Sequence, residues 1–244
     1  MKKISLNLYF KLLILGIIFI VLIFNRDIWI FLFKNLFPDI NDYVYNRTSF
    51  FNLLKEHLII VAISSGFAAL LGISLGIFVT RKVGKDFLYV VNSLVSIGQT
   101  FPPVAVLAVA VPIVGFGARP TIIALLLYGL LPIVRNTVSG LLSVPRNIIE
   151  AAQGMGMSPI QVLVKIELPL SFKVIMAGIR TSTIINIGTA TLGATIGAGG
   201  FGAPIIEGLG RNPAFVLEGA ILVGLFAIII DSLLEIFESL VNDY

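Results

Sequence analysis

Long apolar runs alternate along this chain with short polar, glycine-rich or proline-rich breaks. Residues 12–24 form the first run. The preceding stretch, 6–11, extends it toward the roughly 20 residues a span needs, with Lys11 reaching toward the headgroups. Residues 58–79 carry no charge over 22 positions and are closed by Arg81, Lys82 and Lys85. The next run, 87–114, is interrupted at Thr100-Phe101-Pro102-Pro103, where the missing amide protons kink or restart a helix. The third span is therefore placed at about 103–114, with part of the preceding segment also embedded. Gly115, Gly117 and Pro120 mark a turn. A fourth span follows at about 121–134 with Pro132 near its end, a fifth at 177–196 and a sixth at 215–230. The pattern predicts an all-α, polytopic membrane protein of about six transmembrane helices, with both termini on one side.

Composition agrees. Of 244 residues, 57% are hydrophobic and 12% charged, and the mean hydropathy is +1.03. A water-soluble fold of this size leaves too much surface exposed to hide that many apolar groups. With no cysteine and one histidine, His57, neither a thiolate nor a histidine metal cluster is expected. The first run follows Lys2 and Lys3 like a signal peptide, but Asn25-Arg26-Asp27 offers no small-residue cleavage site, so it reads as a retained helix. Lys and Arg number eleven on the side of the termini and six on the other, which places both termini and residues 135–180 in the cytoplasm. Topology thus accounts for the net charge of +4, and no nucleic acid is expected. Residues 25–56 are expected outside, with Trp29 and nearby phenylalanines in an interfacial belt and His57 at the membrane boundary.

Within the polar stretch, residues 143–169 read as two short helices joined by a tight turn. Pro145 suits a helix start. Ile148, Ile149, Ala152 and Met155 share one face, and Arg146, Glu150 and Gln153 lie largely on the other. Gly156 is free to take the left-handed conformation that ends a helix. Ser158 can cap the next one, with Pro159 at its first position and Gln161 completing a capping box. Pro169 is expected to stop it. The result is a helical knob outside the bilayer whose apolar face must pack on the chain's own membrane helices or on another protein.

Those residues carry a family resemblance. Glu150-Ala151-Ala152, then Gly156, then Ile166-Glu167-Leu168-Pro169 resemble, spacing included, the EAA loop of permease subunits of binding-protein-dependent ABC importers. The resemblance covers about 58–231 and implies a type I ABC importer permease fold. In that family the loop forms a coupling helix seated in a groove of the ATPase subunit. By resemblance, Glu150, Ala151, Ala152, Gly156, Ser158, Ile166, Leu168 and Pro169 form the coupling loop here, with the alanines allowing close approach and Gly156 the turn. The implied partners are two copies of an ABC ATPase, a periplasmic or lipid-anchored substrate-binding protein, and a second permease subunit, most simply an identical copy. ATP and Mg would sit on the ATPase, so this chain is expected to bind no cofactor and to be no enzyme. The implied location is the bacterial cytoplasmic (inner) membrane. Residues 1–56 then form a first helix and external segment, 57–235 the permease core and 236–244 a cytoplasmic tail.

Three further stretches, Pro132-Ile133-Val134-Arg135-Asn136-Thr137, Ala177-Gly178-Ile179-Arg180-Thr181 and 196–202, look like the branch that imports glycine betaine, choline, carnitine and related osmoprotectants. Methionine and other amino-acid permeases share parts of them, and a branch with ergothioneine-like ligands is also similar.

Other constellations carry less. Residues 197–202 spell GxGxxG, but they follow a membrane helix and not a strand, so a flexible external loop or gate is expected and not a nucleotide site. No GxxxxGK[ST] occurs, so hydrolysis by a P-loop belongs to a separate chain. His57 and Ser64 or Ser65 lie about two turns apart on one helix, which does not make a catalytic dyad. An ion-coupled carrier is the rival reading, but such carriers keep ionisable groups at mid-membrane. Here Arg180, Asp231 and Glu218 fall near span ends. Asn136, Thr183, Asn186, Thr189 and Thr191 are candidates for lining the pathway, or for bonding helix to helix. Gly188, Ala190, Gly193 and Ala194 suit close helix packing.

Overall fold

The computed structural model describes residues 6–242. Lys2 and Lys3, counted above for topology, and Asp243 of the tail lie outside the described residues. The helices are α1 (Leu6–Phe24), α2 (Arg26–Leu36), α3 (Phe50–Thr80), α4 (Leu88–Thr100), α5 (Pro103–Val114), α6 (Ala118–Leu142), α7 (Arg146–Gly154), α8 (Pro159–Val162), α9 (Leu168–Ala190), α10 (Gly202–Gly208) and α11 (Pro213–Asn242). Among the described residues no strand occurs.

α3, α6 and α9 form the centre and lie against one another. Lipid gives apolar side chains no reason to prefer protein over acyl chains, so close backbone approach and polar contacts must hold membrane helices together. Small residues supply that approach. A Cβ on Gly72 would stand 2.7 Å from Ile133 Cγ2, one on Gly76 2.6 Å from Thr137 Cβ, and one on Gly178 2.7 Å from Asn136 Cβ. The small residues singled out in the sequence are mostly not these: Gly188 has open space beside it, while Gly193 abuts Thr121.

α1 packs along α11, and Phe19 stacks on Phe226 with ring centres 6.2 Å apart. Trp29 is not in an interfacial belt. It is fully buried beside Phe33 and Phe50 and donates from Nε1 to the Leu22 carbonyl at 2.8 Å, so α2 is pinned back on α1.

Four described helices, α1, α3, α6 and α11, are long and apolar enough to cross a membrane. The α4–α5 pair makes a fifth crossing at most, bent by 94°. About six were expected, and the difference has two causes. The third expected span is broken: α5 has 12 residues, a rise of about 18 Å against a hydrocarbon core of about 30 Å. α9 has 23 residues but keeps Ser182, Thr183 and Asn186 buried. Neighbouring helices, and not lipid, cover much of it, so its composition is more polar.

Several boundaries shift for local reasons. α3 begins at Phe50, capped by the Ser49 hydroxyl accepting from the Asn52 amide, so Glu56 and His57 are helical. α6 continues past Pro132 to Leu142. Pro169 does not stop a helix. The chain passes from α8 through a wider turn at Leu163–Glu167, where the Leu168 amide bonds the Leu163 carbonyl, five residues back. That shift of register accommodates a residue with no amide proton, and α9 proceeds. The glycine-rich stretch contains α10 and is largely buried, with Phe201 enclosed between His57 and Phe226. It is a packed element and not a flexible loop.

Candidate functional site

The knob sits at one end of the bundle. α7 ends as the sequence predicts: Gly156 takes φ +82°, its amide bonds the Gln153 carbonyl, and the Met157 amide bonds the Ala152 carbonyl. These two bonds satisfy carbonyls that a helix end otherwise leaves open. The Ser158 hydroxyl accepts from the Gln161 amide at 3.3 Å, and the Gln161 side chain accepts from the Ser158 amide at 2.8 Å. Glu150, Ala151, Gly156, Ser158 and Pro169 are exposed, Ile166 and Leu168 are partly covered, and Ala152 is buried. Met155 and Ile160 stand 77% and 74% exposed beside each other's turns. The knob therefore covers only part of its apolar surface within this chain.

Its base is held by charge. Glu167, in the wide turn before α9, is buried and accepts from the guanidinium of Arg81, the residue after α3. Sequence reading treated Arg81 only as a topology charge. The pair joins residues 86 apart, and nothing local in either segment announces it. Further along, Arg180 of α9 donates from Nε and Nη2 to both Asp231 oxygens (2.8 and 3.1 Å), and also reaches Glu235 and Glu238 of α11.

The other end of the bundle is tied by two carboxylates, one buried and one exposed. Glu218, near the start of α11 as expected, is fully buried and accepts from the Tyr45 amide at 2.9 Å. Glu56 accepts from the Gly200 amide at 2.8 Å, next to a Gly199 whose Cβ would collide with that carboxylate. His57 is buried within the protein, its Nε2 3.0 Å from the Ile187 carbonyl. Ser64 bonds the Val61 carbonyl, so the two make no dyad. Asn212 donates to the Asp42 carbonyl and Arg47 pairs with Glu207, closing residues 37–49 over α10 and α11. Burial, then the nearby Glu207 carboxylate, raises the Tyr45 phenol above its usual pKa.

The five pathway candidates separate by position. Asn186 is fully buried and donates to Ser65 at 3.0 Å, and Thr183 is buried and bonds the Ile179 carbonyl. In this conformation both are enclosed by protein, Asn186 tying α9 to α3 and Thr183 bonding within α9. Asn136 is partly covered and donates to the Pro132 carbonyl. Thr189 and Thr191 are partly open. Thr191 continues a stripe that sequence reading did not separate out. Ala177, Thr181, Ile184 and Gly188 are exposed at three- to four-residue spacing along α9, and Thr195 is exposed in the tighter helical turn Thr191–Ile196 that follows. Small and hydroxyl side chains left open on a helix otherwise wrapped by protein are the signal that was available.

The helical membrane bundle with its projecting knob has the type I ABC importer permease fold, as the family and structural matches show. The chain belongs to the binding-protein-dependent transport system inner membrane component family, whose model matches residues 70–243. It is 47% identical over 185 residues to the osmoprotectant import permease protein OsmY of Salmonella typhimurium, covering 75% of this chain and 78% of that protein. To the glycine betaine/carnitine/choline transport system permease protein OpuCB of Bacillus subtilis it is 42% identical over 184 residues, covering 75% and 84%. Among solved structures it resembles the MetNI methionine ABC transporter in inward-facing conformation, with a TM-score of 0.68 at 26% identity over 76% of this chain and 93% of that one. Membership of this family implies a separate ATPase and a substrate-binding protein as partners.

Proposed function

We propose that this chain forms the translocation pathway of an ATP-driven importer for small quaternary-amine osmoprotectants, glycine betaine, choline or carnitine among them. The ligand class rests on the 47% and 42% identity to permeases of that kind. The coupling role rests on one observation: a knob with a hydrogen-bonded turn at Gly156 and exposed Met155 and Ile160, standing on a base tied to α3 by Arg81 and Glu167.

Glu150, Ala151, Ala152, Gly156 and Ser158 present the knob to the ATPase, and Ile166, Leu168 and Pro169 join it to α9. Two identical permease subunits face each other across the open stripe of α9, where Thr189 and Thr191 meet the solute and Asn136 lies near its inner end. The knob and both termini face the cytoplasm in this reading, which the excess of Lys and Arg on that side supports. Two ATPase subunits, holding ATP and Mg, close and draw the knobs together. The rigid bases carry that movement into α3 and α9, and the pathway opens toward a loaded binding protein, periplasmic or lipid-anchored. Hydrolysis returns it inward.

Reconstitution with the cognate ATPase and binding protein in proteoliposomes tests this. ATP-dependent uptake of labelled glycine betaine, choline or carnitine, but not of methionine, is the expected result. Methionine uptake would move the ligand class, and uptake driven by an ion gradient through this chain alone would replace the mechanism.

A further inference from the structure

Two proline breaks stand side by side where α4 meets α6. Pro132 has no amide proton, so the Tyr128 carbonyl, one turn earlier in α6, loses its helical donor. Gln99 of α4 supplies a substitute, its Nε2 donating to that carbonyl at 2.7 Å. Directly after Gln99 and Thr100, at Phe101-Pro102, the chain turns through 94° into α5.

Both arms of this elbow rest on α6. Val95 of α4 is buried with Leu131, Val134 and Val138, and Arg135 donates to Ser96 at 3.1 Å. α5 lies along the first half of α6, with an apolar groove of about 490 Å³ whose walls include Val106, Val109, Ile123 and Leu127. The outward sides of both arms are open at Tyr89, Leu94, Ile97 and Ile113. The elbow is thus broadly attached to one helix only, and its corner is marked by the Gln99 bond.

We propose that Gln99 is a positioning residue that fixes the α4–α5 elbow to the proline break of α6, and that the swing of this elbow during transport is governed by the Gln99–Tyr128 hydrogen bond. This rests on the permease reading above. The acceptor is backbone in a helix and cannot rotate away. The donor is the second-last residue of its own helix, directly before the bend, so the bond fixes that helix end on α6 and is lost when the end moves away. The amide is neutral and can leave its partner without stranding a charge in the bilayer.

The chain has no cysteine, so spin labels at Tyr89→Cys and Ile113→Cys report the elbow in the full complex, nucleotide-free and ATP-bound. Gln99→Met keeps the length and removes the donor. It is expected to broaden the distance distribution and to lower solute moved per ATP hydrolysed by roughly five- to tenfold, as for one lost hydrogen bond to a buried carbonyl. An unchanged distribution overturns the proposal. Pro132→Ala returns a helical donor to Tyr128 and separates a structural role from a positioning one. If the double variant Q99M/P132A regains thermal stability while the elbow stays broad and coupling stays low, Gln99 positions the elbow. If coupling recovers as well, Gln99 only satisfies a carbonyl and the proposal fails. A wild-type complex that moves no solute under ATP counts against the permease reading, and the elbow distances still decide the role of Gln99.

Discussion

The guanidinium of Arg81 meets the carboxylate of Glu167 at 2.5 Å, so the residue that follows α3 grips the turn from which the knob enters α9. Any push on the knob reaches two central helices at once through this pair. Removing one partner of a buried pair costs about 3–5 kcal/mol. Arg81 keeps a third of its side chain open and can turn to water, so we expect E167A to cost about 2 kcal/mol. Uptake per ATP should drop with ATPase binding retained. E167Q should be milder, and the reversal R81E/E167R should recover coupling. Normal coupling in E167A would separate the pair from transmission.

Gly156 holds a left-handed backbone that a side chain resists by about 1–2 kcal/mol. G156V should therefore open the turn between α7 and α8 and abolish co-purification with the ATPase. Circular dichroism of the isolated permease should stay unchanged, because nothing packs on Gly156. Retained co-purification would show that the ATPase holds another part of the chain.

Glu218 keeps residues 37–49 closed over α11 by accepting the Tyr45 amide. E218A leaves that donor buried and unpaired, at a cost of about 1–3 kcal/mol. E218Q retains an acceptor oxygen and should lose less. Limited proteolysis reads the difference: cleavage within 37–49 should rise in E218A, and equal rates in wild type and E218A would show that other contacts hold the segment.

Two glycines should respond in opposite ways. G76V drives a side chain into Thr137, and overpacking of this kind costs about 1–3 kcal/mol. It should lower folded yield and melting temperature. Gly188 has open space beside it, so G188F should fold normally. On the proposed pathway face it should still block uptake. A G188F variant that transports freely would remove the α9 stripe from the pathway.

Legibility in the sequence followed the range of the forces. The turn of the knob was readable because each part depends on neighbours a few residues away: Gly156 on its own backbone angle, Ser158 and Gln161 on each other. The apolar runs were readable because a bilayer demands about 20 such residues wherever they fall. The count of spans was less so, since that rule assumes a helix facing lipid, and α9 faces protein. The expected stop at Pro169 and the expected end near Pro132 failed for a related reason. A proline removes one hydrogen bond, and a wider turn before Pro169 or a donor from another helix at Tyr128 can make good the loss.

Composition and short-range pattern thus established the solvent of this protein, its helical class and the form of its knob, for these depend on residues close together in the chain. Which distant groups meet did not follow. Arg81 and Glu167, Glu56 and Gly200, Tyr45 and Glu218, and Asn186 and Ser65 lie 86 to 173 positions apart. They were brought together by the packing of segments far apart in the chain, a contact that has no local signature.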